Sequence, residues 1–164
     1  MTHTIEREQL VRRDPAEVFD FFSRARNLQL LTPSWLHFDV LTPEPIAMRQ
    51  GTLIDYRLRL HGVPMRWRTL IEQWEPERMF VDRQLRGPYR LWHHTHEFEP
   101  HAQGTSVRDR VRYEIPLGPV GSLAHAAFVH RDVERVFEYR HEAVVRLLES
   151  GYSRTSRSSP ASTS

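Results

Sequence analysis

The sequence predicts an α+β fold: a curved antiparallel sheet of about six or seven strands wrapped around one long C-terminal helix. Three observations predict it. Between Trp35 and Ile115, short runs of period-two alternation recur between Gly- and Pro-containing turns, the pattern of an antiparallel meander. After Pro116-Leu117-Gly118-Pro119, the stretch from Val120 to Glu149 carries one apolar stripe at helical spacing, made of Ala126, Val129, Val133, Val136, Phe137, Val144, Leu147 and Leu148. A meander needs one face covered, and only this stretch is long enough, because ~30 residues at 1.5 Å each span about 45 Å.

The elements follow in order. Thr4–Arg13 is polar with Ile5, Leu10 and Val11, a strand. Asp14-Pro15-Ala16-Glu17 starts a helix: Asp14 is placed to cap, Pro15 suits the first helical position, and Glu17 has box-like spacing. Val18, Phe19, Phe21 and Phe22 supply its apolar residues. A second short helix over Ala25–Leu31 stops before Thr32-Pro33, since the residue ahead of a proline disfavours helix. Gly51–Leu60 alternates Ile54, Tyr56, Leu58 and Leu60 with Asp55, Arg57 and Arg59. His61-Gly62-Val63-Pro64 turns the chain, and Met65, Trp67, Thr69 and Ile71 share a face on the return. Glu75-Pro76-Glu77 turns again into Arg78–Arg86, and Gly87-Pro88 leads to Arg90–Glu99. His101-Ala102-Gln103-Gly104 precedes Thr105–Ile115, where Val107, Asp109, Val111, Tyr113 and Ile115 lie on one face.

Composition removes several classes of function. A chain of 164 residues points to one domain, expected over 1–150, that buries about 70% of its unfolded surface. Without cysteine there is no disulfide, zinc–thiolate or iron–sulfur site. Apolar residues make up 39% and no run approaches the ~18 residues of a membrane-spanning helix. The opening residues lack the apolar core of a secretory signal, so a cytoplasmic location is expected. Residues 151–164 are rich in Ser and Arg, and from Ser153 on nothing apolar is larger than alanine, so a disordered tail is expected there. All 23 basic residues are Arg, which raises the isoelectric point to 9.4, but 21 acidic residues leave a net charge of only +2. That balance gives no basic stripe, and no nucleic-acid partner is expected. No G-x-S-x-G, P-loop or dinucleotide fingerprint occurs.

Three segments carry a family resemblance: Phe80–Glu99 with its Trp92-His93-His94-Thr95-His96 run, Val107–Pro116, and Val136-Phe137-Glu138-Tyr139-Arg140. With the element order, they resemble the START-like helix-grip (SRPBCC) superfamily, in particular a bacterial ligand-binding subfamily similar to polyketide cyclase/dehydrase proteins. The resemblance spans about Thr4–Glu149 and implies a shared cavity rather than a shared chemistry.

A curved sheet and a long helix meet at their ends and part in the middle, which leaves an apolar cavity, the usual place for a small ligand. On Arg90–Glu99, His94 and His96 share parity with Trp92 and Phe98, and Asp109 sits in the apolar row of the next strand. A carboxylate there is costly unless paired. Adjacent strands can bring Asp109 to His94 or His96, which makes His94 and Asp109 the candidate catalytic groups. Arg140 lies on the inner stripe of the long helix, placed either to meet a ligand carboxylate or to pair with Asp82 or Asp109. The expected ligand contacts are Tyr56, Trp67, Trp92, His94, His96, Phe98, Asp109, Tyr113, Phe137 and Arg140. Phe128 is expected in the core with these aromatics. His94, His96 and Asp109 form a conceivable facial metal set, but two histidines two apart are a weak signal, so no metal or cofactor is expected. The leading expectation is a non-catalytic binder of a small hydrophobic, lipid- or polyketide-like molecule. The alternative is a cyclase/dehydrase-type enzyme that moves protons through a His–Asp pair, and a third is an accessory domain using its Arg-rich outer face.

Overall fold

A computed structural model describes residues 1–116 and 119–149, with side chains omitted over 119–127. The tail expected at 151–164 and the Ala126 side chain lie outside the described residues. The elements run β1 (His3–Val11), α1 (Pro15–Phe22), α2 (Asn27–Leu30), a 3₁₀ turn at Ser34–Leu36, β2 (Asp39–Val40), β3 (Leu53–Leu60), β4 (Val63–Glu75), β5 (Met79–Arg86), β6 (Leu91–His101), β7 (Gly104–Glu114) and α3 (Pro119–Glu149). The seven strands form one antiparallel sheet in the order β1-β7-β6-β5-β4-β3-β2. Consecutive strands are neighbours from β2 to β7, and β1 closes beside β7. This is the helix-grip α+β architecture that the alternation and the terminal stripe require.

The helix lies on the inner face of the sheet. Ala143, Val144 and Leu148 on α3 join Phe19, Phe21 and Phe22 of α1, Phe80, Phe98, Val107 and Val11 in one cluster. Nearer its start, Val133 and Phe137 pack on Ile5, Val111 and Tyr113. A third cluster of Ala25, Ile54, Tyr56 and Ile71 lies apart, under Leu28, Phe38 and Met48. The gap between this third cluster and α3 is the cavity. Curvature comes from β4, whose 13 residues shift register against β5 at Arg68/Thr69 and again at Ile71/Gln73. Such bulges bend a strand and increase its twist.

Several local expectations change. Asp14 stands at the N-cap of α1 and Pro15 at its first position, but Asp14 makes no side-chain capping bond and no capping box forms. The second helix is shorter than expected, four residues over Asn27–Leu30, with the 3₁₀ turn following Pro33. The β3–β4 turn is His61-Gly62 alone, both with positive φ, and Val63 already pairs with Leu60. Phe128 is not in the core: it is 62% exposed, because the helix turns that position away from the sheet.

Candidate functional site

The β5–β6–β7 register places the polar groups. Asp82 on β5 faces His94 on β6, while Asp109 on β7 faces His96. All four side chains point to the inner face, since residues two apart on a strand share a face. Their contacts cross: His94 Nε2 is 2.9 Å from Asp109 Oδ1, and His96 Nε2 is 2.9 Å from Asp82 Oδ2. The remaining nitrogens complete the ring, with His94 Nδ1 3.6 Å from Asp82 Oδ2 and His96 Nδ1 2.7 Å from Asp109 Oδ1. The last contact is close but poorly aligned, so His96 Nδ1 has no directed hydrogen-bond partner. The two imidazole centroids lie 3.7 Å apart, and Phe80 stacks on His96 at 4.2 Å. Arg140 reaches in from α3, its Nε 3.9 Å from Asp109 Oδ2 and its guanidinium over the Phe22 ring.

The two histidines differ in environment. Burial, together with the neighbouring His96 charge, outweighs the carboxylates around His94 and pushes its pKa down to about 4. Burial also opposes charge on His96, but its close approach to Asp109 and its bond to Asp82 win and raise its pKa. For Asp109, Arg140 and both histidines overcome the burial penalty and hold the carboxyl well below its ordinary value. Asp82 shifts the same way: bonding to His96 and the charges of His94, His96 and Arg140 outweigh burial. The Arg140 guanidinium and the two imidazoles lie against the two carboxylates. A buried group of this size is tolerable because its charges are paired locally.

This cluster forms one wall of a cavity of about 190 Å³. Asp82, His94, His96 and Arg140 are its polar side, while Tyr56, Trp67, Trp92 and Phe137 from the sheet and α3 contribute to the rest. Leu28, Trp35, Phe38 and Met48, from α2, the 3₁₀ turn and the loops around β2, complete the apolar lining. Burial pushes the phenols of Tyr56 and Tyr89 upward, with nearby acidic groups adding to it, so both remain neutral. His61 Nε2 on the β3–β4 turn lies 2.7 Å from Oδ2 of Asp132, a lining residue on α3.

Seven of the ten expected contact residues therefore line the cavity. Three do not. Phe98, Asp109 and Tyr113 are on the inner face and buried, but they sit behind the lining. Asp109 reaches the cavity only through the imidazoles it holds. Asp82, missing from the expected contact set, is on the wall itself. Its parity with Phe80 on β5 was the available signal, and the adjacent buried Val81 obscured it. Tyr89, Thr69 and Asp132 are further lining residues that sequence reasoning missed.

A strongly curved sheet gripping a terminal helix, hollow between them and carrying a buried polar wall, defines a ligand-cavity fold of the helix-grip class. Residues 2–149 match the model of one family within it, described as polyketide cyclase / dehydrase and lipid transport, and the chain belongs to that family. Among solved structures, it is similar to the Zhui aromatase/cyclase from Streptomyces sp. R1128, with 15% identity, 91% of this chain and 94% of that one covered, and a TM-score of 0.71. TTHA0849 from Thermus thermophilus is 18% identical over 92% of this chain and 100% of that chain, TM-score 0.68. CV1439 from Chromobacterium violaceum is 14% identical over 89% and 96%, TM-score 0.69. At these identities the likeness is one of fold. No curated protein matches the chain. Among the described residues, no helix is long and apolar enough to cross a membrane.

Proposed function

We propose that this protein binds a compact, largely apolar small molecule in the cavity between sheet and helix and does no chemistry on it. The observation that supports this most is the cavity's construction: about 190 Å³ of space lined mostly by aromatic and aliphatic side chains, with the buried cluster of Asp82, His94, His96 and Arg140 on its wall. An engineered apolar cavity of about 150 Å³ accepts benzene, whereas drug-sized ligands occupy about 300 Å³ or more. The space therefore suits a substituted single ring or a short chain. Apolar burial drives binding, at about 25 cal/mol per Å² removed from water before costs. His94, His96, Asp82 and Arg140 orient the ligand's polar end. Residues 1–150 act as one binding domain in the cytoplasm under this proposal.

Native mass spectrometry of the purified full chain, followed by displacement of an environment-sensitive apolar dye, tests it. One co-purifying or displaceable molecule per chain is expected. Failure of any apolar probe to enter, with Tyr56 and Trp92 fluorescence unperturbed, overturns it.

A cyclase/dehydrase-type enzyme is the second reading, favoured by the presence of His96 on the wall with its raised pKa and two carboxylate partners. His94 is a poorer base, because a pKa of about 4 is far from neutral operating conditions. On this reading His94→Ala or His96→Ala abolishes turnover of a reactive poly-carbonyl substrate and leaves dye affinity within about tenfold. Parallel loss of both, or no turnover, favours the binder.

A further inference from the structure

We infer that Asp82, His94 and His96 form a facial two-histidine, one-carboxylate site for a divalent first-row transition cation on the cavity wall. One ligand atom from each of the three falls within 4.8 Å of the other two. Asp82 Oδ2 lies 2.9 Å from His96 Nε2 and 3.6 Å from His94 Nδ1. Donors each about 2.1 Å from one ion sit roughly 3.0–3.4 Å apart, so these separations need only small rotations to converge.

The second observation lies on the far side of the imidazoles. A metal-bound histidine nearly always gives its other nitrogen to a carboxylate or carbonyl, which fixes the ring and its tautomer. Here one carboxylate serves both rings: Asp109 Oδ1 is 2.9 Å from His94 Nε2 and 2.7 Å from His96 Nδ1. Asp109 in turn is backed by Arg140. His96 Nδ1 is buried without an aligned partner, although Asp109 Oδ1 lies close by. The three ligands line the cavity while Asp109 does not, so the positions left open on the ion face the space where a small molecule binds. An oxygen of that molecule would complete the shell. Imidazole with carboxylate selects zinc, cobalt, nickel or ferrous iron over magnesium or calcium. The ion site stands whether or not an apolar molecule fills the cavity.

The test uses the full chain, stripped with a chelator and then titrated separately with Zn(II), Co(II) and Mg(II) by calorimetry. One equivalent of Zn(II) and of Co(II) is expected, with Mg(II) silent. His96→Ala and Asp82→Asn should each weaken Zn(II) at least tenfold. Asp109→Asn should weaken it by about 10- to 100-fold through the rings it holds. His93→Ala, on the outer face beside Glu72, should leave it unchanged. Circular dichroism checks that each variant is folded. If His96→Ala does not fold, the proton spectrum of the Co(II)-loaded wild type decides instead, with two shifted imidazoles expected. Absence of a stoichiometric site, equal affinity in Asp82→Asn and wild type, or fewer than two shifted imidazoles overturns the inference.

Discussion

Asp109 has three polar neighbours, so its removal strands several groups together. In Asp109→Leu, Arg140 loses its close acidic contact and both histidines lose a carboxylate neighbour in a buried site. Breaking such a network from one side costs about 3–5 kcal/mol. For a chain of this size that corresponds to a melting temperature lower by roughly 10 °C, read by thermal circular dichroism. Adding Arg140→Met should recover part of the loss, since removing both partners avoids the stranded charge. An unchanged melting temperature in the single variant would contradict the buried placement. Strand parity made the inward direction of His94, His96 and Asp109 legible from sequence, because alternation on β6 and β7 is clean. It could not give depth: Phe98, Asp109 and Tyr113 share that face but stand behind the lining. Asp82 was obscured for a different reason, as β5 buries two consecutive residues and sits opposite the bulged stretch of β4.

Among the elements, the β6–β7 hairpin and the β3–β4 turn carry separate demands. Gly104 has φ +144°, and a Cβ there would come within 2.1 Å of the Val11 carbonyl oxygen. Gly104→Ala should destabilise by more than about 1 kcal/mol, because the backbone conformation is unsuited to a side chain and the obstacle is main chain. Chemical denaturation measures this, and a stability equal to wild type would show that the end of β1 yields freely. His61→Ala removes the bridge from the β3–β4 turn to Asp132, which lines the cavity. The pair is partly exposed, with His61 65% accessible, so its loss should alter stability by under about 1 kcal/mol. It should nevertheless speed dye release several-fold in stopped-flow fluorescence. Element order was readable because turns contain Gly or Pro and α3 carries a continuous stripe. The turn residues at the helix start were not, since a favourable residue at an N-cap position need not make the capping bond, as Asp14 shows. Phe128 misled because an aromatic in a helical sequence has no partner visible until the helix is oriented on the sheet.

For the whole molecule, occupancy and stability are one quantity. A ligand at a hundred times its dissociation constant should add about 2.7 kcal/mol, a rise of roughly 5–10 °C in melting temperature. Differential scanning fluorimetry with a series of single-ring phenols and ketones checks this, and a flat response across the series would count against a cavity that binds. The outer face of the sheet contributes little to that balance. Its cross-strand Arg–carboxylate pairs, such as Arg68–Asp55 and Arg57–Asp39, are half-exposed and individually worth a fraction of a kcal/mol. The fold as a whole was legible from periodicity, whereas the hollow was only implied, because β4's two register shifts leave no signature in alternation alone. The polar floor rests on three adjacent mid-sheet strands, β5, β6 and β7, while the roof of Leu28, Trp35, Phe38 and Met48 comes from short helices and connecting segments. Backbone hydrogen bonding pins the former, and substitution tolerance concentrates in the latter. Under the proposed binding role, preference for one guest over another drifts by exchange of roof residues alone, which leaves the polar cluster in place.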